Sequence, residues 1–379
     1  MIKTIQKKEE SQEKKKEIRK AAALPQGGPQ AKRRLSIPMK KLISRRHFLA
    51  ALGAVAAAGA LSGCGSQTAR TNANGEHVFE LTLSHGLAED HAVHIALSSF
   101  ADAVREQSEG TIDIQIFPNA TLGSEVDNIT QIRAGALDMA KVSASTLGNF
   151  QQEWNVLSVP YVFNDQQHYY NVMDGEIAQD LYQLTAGKGF MGLTWMDSGA
   201  RSFYTANTPI RTPADLNGLK IRTMDSQMAI DMMAALGGSA TVTSYSEIYT
   251  AMQQGVIDGA ENNVTAMRDH ADVTKYYCFD EHTRIPDIVL MSTETWNAMS
   301  DHQREIMTSC ARTMTEDYKT AWTEFENEVL ATAEEKGVEL IYDVDLPAFQ
   351  EACQSIYTDL QAEQPEVYAY VERIQQAAQ

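Results

Sequence analysis

The sequence predicts an α/β fold, because period-two apolar strands alternate with helix-period segments from residue 78 onward. Phe79, Leu81 and Leu83 alternate with other residues, Val93, Leu97, Phe100 and Val104 then repeat at helical spacing, and Ile112, Ile114 and Ile116 alternate again before Pro118. The same order of strand, helix and strand recurs over 219–242. Units of this kind build a mostly parallel sheet with helices on both faces. A chain of 379 residues is long enough for two lobes with their own cores.

Further elements follow in order. Val126, Ile129 and Ala134 line a helix, 137–142 reads as a buried strand, and 190–195 as another. Leu219 and Ile221 then alternate with Lys220 and Arg222, a short strand with one apolar and one polar face that aims Arg222. Met228, Ala229, Met232, Met233 and Leu236 mark a helix that Gly237-Gly238 stops, and 240–242 is the next strand. Ser246 is expected to cap a helix carrying Ile248, Tyr249, Ala251 and Met252, closed by Gly255. Val256-Ile257 is expected to be a strand, and Asp258-Gly259-Ala260-Glu261-Asn262 the tight turn after it. Beyond Pro286, Val289-Leu290-Met291 leads to a helix over about 300–336, longer than an ordinary globular one.

Charge is unevenly placed. Residues 1–63 hold fifteen Lys and Arg against four Glu, which leaves seventeen basic and forty-six acidic residues, near −29, in the remainder. That field argues against nucleic acid or an anionic membrane surface as partner of the folded part. An anionic ligand would need local arginines, which suffice because surface charges beyond about 8 Å are largely screened at physiological salt.

The N-terminus reads as an address. Ser44-Arg45-Arg46-His47-Phe48-Leu49 opens an apolar run to Leu61 that is too short to span a bilayer and right for a signal sequence. Arg45-Arg46 suits a twin-arginine signal or a general secretory one. Leu61-Ser62-Gly63-Cys64 looks like a lipobox, which would leave Cys64 as an acylated first residue, with 1–63 as leader and 64–77 as a polar tether. Met39-Lys40-Lys41 would also make a natural start, so the first 38 residues read as a misassigned start. Cys278, Cys310 and Cys353 remain, with no C-x-x-C, and are read as buried free thiols in preference to a Cys310–Cys353 pair. His91 and His94 lie one helical turn apart near His85, but the spacing lacks the third ligand of a recognisable zinc site, and no metal or cofactor is expected.

Six motifs occur in a fixed order: F-P-N-A-T-L-G-S-E at 117–125, R-A-G-A-L-D-M-A at 133–140, V-P-Y-V-F at 159–163, D-S-G-A-R-S-F-Y at 197–204, G-L-K-I-R at 218–222 and D-G-A-E-N at 258–262. Together they resemble the DctP-like solute-binding subunits of TRAP transporters over about 78–301. The resemblance implies a two-lobed periplasmic-binding-protein-like fold with a ligand cleft and a long bridging helix. Lobe I would take 78–197 and 283–324, and lobe II 198–282 and 325–379.

It also implies roles. Arg222 would grip the ligand carboxylate, since a planar guanidinium matches two carboxylate oxygens. Arg201 would be a second ligand arginine, with an interlobe salt bridge as its structural alternative. Asn262 would reach the ligand with an amide that donates and accepts, and Tyr245 would pack over it. Glu125, Ser143 and Asp225 would line the cleft, Asp225 standing where sugar-acid binders often have an amide, and His85 would face the cleft. Glu261 is read as a structural partner of an arginine or backbone group. The implied protein is a lipid-anchored extracytoplasmic receptor that hands an organic acid to a TRAP permease. D-S-G-A-R-S-F-Y, I-D-G-A-E-N-N and K-Y-Y-C-F-D-E-H most resemble binders of hexuronates, with C4-dicarboxylate, keto acid or sialic acid as alternative ligands and a sensor accessory as alternative role. A hydrolase is disfavoured, because G-x-S-x-G and H-E-x-x-H are absent.

Overall fold

The computed structural model describes residue 71 and residues 76–378, so the leader and Cys64 lie outside the described residues. Strands β1 (Phe79–Ser84), β2 (Ile112–Phe117), β3 (Met139–Ser143), β4 (Phe190–Met196) and β10 (Asp287–Ser292) form one sheet in the order β2-β1-β3-β10-β4. A second sheet runs β11-β9-β5-β8-β6-β7, from β5 (Arg201–Thr205), β6 (Lys220–Thr223), β7 (Ser239–Val242), β8 (Gly259–Asn263), β9 (Tyr276–Thr283) and β11 (Glu339–Ile341). The expected α/β architecture is therefore present as two mixed sheets.

The period-two reading of the first strands holds in detail: Phe79, Leu81 and Leu83 are buried and Glu80 is exposed, with Phe79 in register opposite Ile112 on the parallel neighbour. Helix α1 (Ala92–Gln107) buries Val93, Leu97, Phe100 and Val104. Helix α2 (Glu125–Arg133) starts with a capping box between Ser124 and Asp127, which ties down two of its free N-terminal amides.

One strand in each sheet opposes its neighbours. β10 is antiparallel to β3 and β4, and β5 is antiparallel to β8 and β9. The cause is connectivity: the chain leaves the first sheet after β4 and comes back after β9. Met196 pairs with Asp287 and Arg201 with Thr283, so the crossings at 197–200 and 284–286 run side by side in opposite directions.

Two local expectations are corrected. The polar run at 258–262 is no turn: β8 takes Gly259–Asn263, every residue of it buried, between β5 and β6. Val256 and Ile257 instead belong to the connection before it, with Val256 exposed. A run of Gly, Glu and Asn looks like a turn, but the ladder bonds of two flanking strands satisfy its backbone. Gly259 is required there, since a Cβ would sit 2.3 Å from the Tyr204 carbonyl oxygen. The second correction concerns a cap. Ser244, with Glu247 three residues on, caps a short 3₁₀ turn that precedes α4 (Ile248–Gln253), and Ser246 lies inside that turn. Upstream of both, α3 (Gln227–Ala235) forms as the methionine spacing predicted.

Helix α5 (Asp301–Glu335) spans 35 residues from a capping box of Ser300 and Gln303. Its N-terminal part, through Trp322, packs Ile306, Met307 and Met314 with the core of the first sheet, and its C-terminal part packs Val329 and Ala333 with Tyr204, Ile248 and Met267 beside the second. The final helix, α6 (Pro365–Gln376), lies against Gln152–Ser158 and Glu176–Gln183, so the tail assigned to lobe II by resemblance also touches residues assigned to lobe I. Cys278, Cys310 and Cys353 are buried free thiols, Cys310 and Cys353 in different cores. Among the described residues no helix is long and apolar enough to cross a membrane.

The crossing at 197–200 holds Gly199 at φ +61, and a Cβ on it would lie 2.2 Å from Glu326 Oε1 on α5. Gly199→Ala should destabilise the protein by about 1–2 kcal/mol through left-handed backbone strain alone, more once Glu326 is displaced. Thermal unfolding checks this, and an unchanged Tm would remove the constraint from this crossing.

Candidate functional site

Between the two sheets lies a cavity of about 620 Å³. The first-sheet side contributes Glu125, Lys141, Ser143 and Asp287, and the second contributes Arg201, Arg222, Tyr245 and Asn262, with Asp225 also in its wall. Seven of the eight ligand residues expected from sequence thus meet here.

Arg222 is carried by β6, which its neighbours on both sides bury, so that only 4% of the residue is exposed. Its Nε donates to the Thr243 carbonyl at 2.8 Å. Neither terminal nitrogen has a protein partner, and no carboxylate lies within ion-pair distance of it among the described residues. Burial pulls its pKa down, against the nearby charge of Glu261. A desolvated cation with a free planar pair of donors at a cavity wall has the geometry that suits a two-oxygen anion.

Arg201 differs. Its Nε donates to Glu261 Oε2 at 2.6 Å, its Nη1 to Asn262 Oδ1 at 2.7 Å and its Nη2 to the Glu261 carbonyl at 2.8 Å. Both partners lie on β8, beside Arg201 on β5, so this is an ion pair within one sheet and not the interlobe bridge weighed from sequence. Three of its five N–H donors are committed, leaving two. Burial alone would push the Glu261 carboxyl up, but Arg201 and His282 hold it down at about 2. His282 continues the chain, 3.4 Å from Glu261 and 2.6 Å from Asp280, whose other oxygen accepts from the Phe203 amide at 3.0 Å. Burial disfavours the imidazolium, yet the two carboxylates outweigh it and raise His282 to about 9. Arg201, Glu261, His282 and Asp280 therefore alternate in charge across the second sheet.

Asn262 Oδ1 accepts from Arg201 and from the Asn263 amide at 2.9 Å, which leaves its Nδ2 as a donor. Tyr245 lines the cavity with its ring, since its hydroxyl donates to Asp269 at 2.9 Å. Glu125, first residue of α2, accepts from the Ser143 amide at 3.1 Å and the Thr146 hydroxyl at 2.7 Å. Asp225 is exposed.

His85 is the expectation that the structure does not place in the wall. It is 1% exposed, with Nε2 3.0 Å from His94 Nδ1 and Nδ1 accepting from the Leu87 amide. Burial lowers it to about 3, so it is neutral. His91 stands in the wall instead, capping α1 by accepting from the Val93 amide.

Sequence reasoning missed Lys141 and Asp287. Lys141 Nζ donates to Asp287 at 2.9 Å and lies 3.8 Å from Glu125. A lysine within the apolar strand M-A-K-V-S was a usable signal, since an unpaired lysine is rarely buried. Asp287, 146 residues away, had none.

The sequence profile of the bacterial extracellular solute-binding protein family 7, DctP, matches residues 83–364. The chain is similar to the uncharacterized protein YiiZ of Salmonella typhimurium, 40% identical over 308 residues, which are 80% of this chain and 93% of that one. Its fold is similar to a TRAP periplasmic solute-binding protein from Anaerococcus prevotii solved with bound D-glucuronate, at TM-score 0.77 and 32% identity over 79% of this chain and 97% of that one. It is also similar to one from Sulfitobacter sp. with bound β-D-galacturonate, at TM-score 0.75 and 33% identity over 77% and 98%.

The two arginines should respond oppositely to neutralisation in the ligand-free protein. Arg222→Met removes a buried charge that lacks a counter-ion and should stabilise by about 1–3 kcal/mol. Arg201→Met strands Glu261 and should destabilise by about 3–5 kcal/mol. Denaturant unfolding measures both, and equal losses would contradict the division of roles.

Proposed function

This chain belongs to the bacterial extracellular solute-binding protein family 7, the DctP family of TRAP receptors, and on that premise we propose that its solute is a hexuronate, glucuronate or galacturonate. The observation that carries the reading is the buried Arg222 guanidinium without a carboxylate partner, facing a cavity of about 620 Å³. A cavity of this size suits a single sugar acid, and the hexuronates bound in the similar structures support the choice.

The ligand carboxylate pairs with the two terminal nitrogens of Arg222, and Arg201 adds its remaining donors from the same side. Asn262 Nδ2 donates to a ligand oxygen, Tyr245 covers one face of the sugar, and Glu125, Ser143 and Asp225 meet its hydroxyls. Residues 78–197 with 283–324 and residues 198–282 with 325–379 act as two lobes that close on the ligand. Contacts from both walls are complete only when closed, so the ligand shifts the population that way. The closed receptor hands its solute to the TRAP permease in the membrane.

Arg222→Lys keeps the charge and loses the planar pair of donors. Calorimetry with glucuronate and galacturonate should find it weaker by at least tenfold, about 1.4 kcal/mol, and Arg222→Ala weaker still. Wild-type affinity in Arg222→Lys would take the carboxylate away from this residue and point to Arg201.

The leader motif Leu61-Ser62-Gly63-Cys64 supports a lipid anchor on Cys64. Labelled palmitate fed to cells expressing the precursor should mark the protein, and Cys64→Ala should lose both label and membrane retention. Label retained by the variant refutes the anchor.

A further inference from the structure

We propose that the cavity accepts one ligand carboxylate and turns away a second, and that the Lys141, Asp287 and Glu125 cluster reads hydroxyl groups at the end of the ligand away from Arg222. The inference rests on the reading of the cavity as a sugar-acid site and names what that site refuses.

The fixed charges carry it. Arg201 is matched by Glu261 at 2.6 Å. Lys141, 5% exposed, is a single ammonium between two carboxylates, Asp287 at 2.9 Å and Glu125 at 3.8 Å, so that cluster is net negative by one. Arg222 alone among the cationic side chains of the wall has no carboxylate beside it. The one histidine in the wall, His91, is held neutral by burial and by the nearby Lys141 and Arg268 charges, and so adds no cation. One anionic group thus finds one unmatched guanidinium. A second would meet the excess negative charge of the Lys141 cluster, where buried side chains partly shield it from water and like charges repel more strongly than in bulk solvent.

Hydrogen-bond chemistry agrees with the charge. Lys141 has three N–H donors and gives one to Asp287. Glu125 already accepts one bond at each oxygen, from the Ser143 amide and the Thr146 hydroxyl, and both oxygens keep lone pairs. A hydroxyl donates to carboxylates and accepts from an ammonium, so a diol satisfies both kinds of group. A carboxylate only accepts and leaves Glu125 and Asp287 facing another acceptor.

Calorimetry on the purified protein with two matched pairs tests this: glucuronate against glucarate, and galacturonate against galactarate. Each pair shares the configuration of its chain hydroxyls, and the second member carries a carboxylate where the uronate has its aldehyde carbon, so the aldarate cannot close the hemiacetal ring. We expect the better-bound uronate to exceed its aldarate by tenfold or more, and Glu125→Gln to narrow that gap more than threefold. The variant isolates charge, because the difference in shape between uronate and aldarate is common to wild type and variant. A wild-type gap below tenfold, or a gap that Glu125→Gln narrows by threefold or less, overturns the inference while leaving uronate binding intact. Should Glu125→Gln fail to fold, Asp287→Asn, which leaves Lys141 with Glu125, is read by the same threshold. A wild type that binds neither uronate overturns the sugar-acid reading itself and this inference with it.

Discussion

A guanidinium buried without a carboxylate is unfavourable in an empty protein, and the second sheet is arranged so that Arg222 is in that position while Arg201 is not. The two arginines lie on β6 and β5, either side of β8, and β8 supplies Glu261 to one of them only. From Glu261 the alternation runs on through His282 to Asp280, whose carboxylate also holds the Phe203 amide. This chain of opposite charges links β5, β8 and β9 through buried polar side chains. It leaves Arg222 without a carboxylate partner among the described residues, so that a bound anion would have the most to contribute there.

The rest of the architecture brings a second wall opposite that guanidinium. The chain crosses between sheets at 197–200 and returns at 284–286, and each crossing sits next to a cavity residue: Ser198 and Arg201 on one, Asp287 on the other. Any rotation about these paired crossings therefore moves the Lys141 and Asp287 side relative to Arg222. Helix α5 packs on both cores and comes up against the crossing itself where Glu326 meets Gly199. Burial raises the Glu326 carboxyl to about 7, with Asp197 adding to the effect, so the contact at the crossing is between a glycine and an acid that holds its proton more tightly than an exposed one.

What the sequence by itself determined was whatever depends on neighbours in the chain. The alternation of Phe79, Leu81 and Leu83, the helical spacing of the methionines at 228–233 and the long helix expected over about 300–336 all record local pattern, and each stands in the structure as read. The order of motifs from 117 to 262 was legible for the same reason, and with it Arg222. Tertiary structure decided the pairings. The run Gly259–Asn263 has the composition of a turn and is a strand only because β5 and β6 flank it. Arg201 is matched and Arg222 unmatched because of where Glu261 falls on that strand, and His85 is turned from the cavity by His94. Lys141 and Asp287 meet across 146 residues. A local pattern specifies an element and the side chains it presents, but a buried charge is matched by whatever the sheet order brings beside it, and no spacing along the chain encodes that.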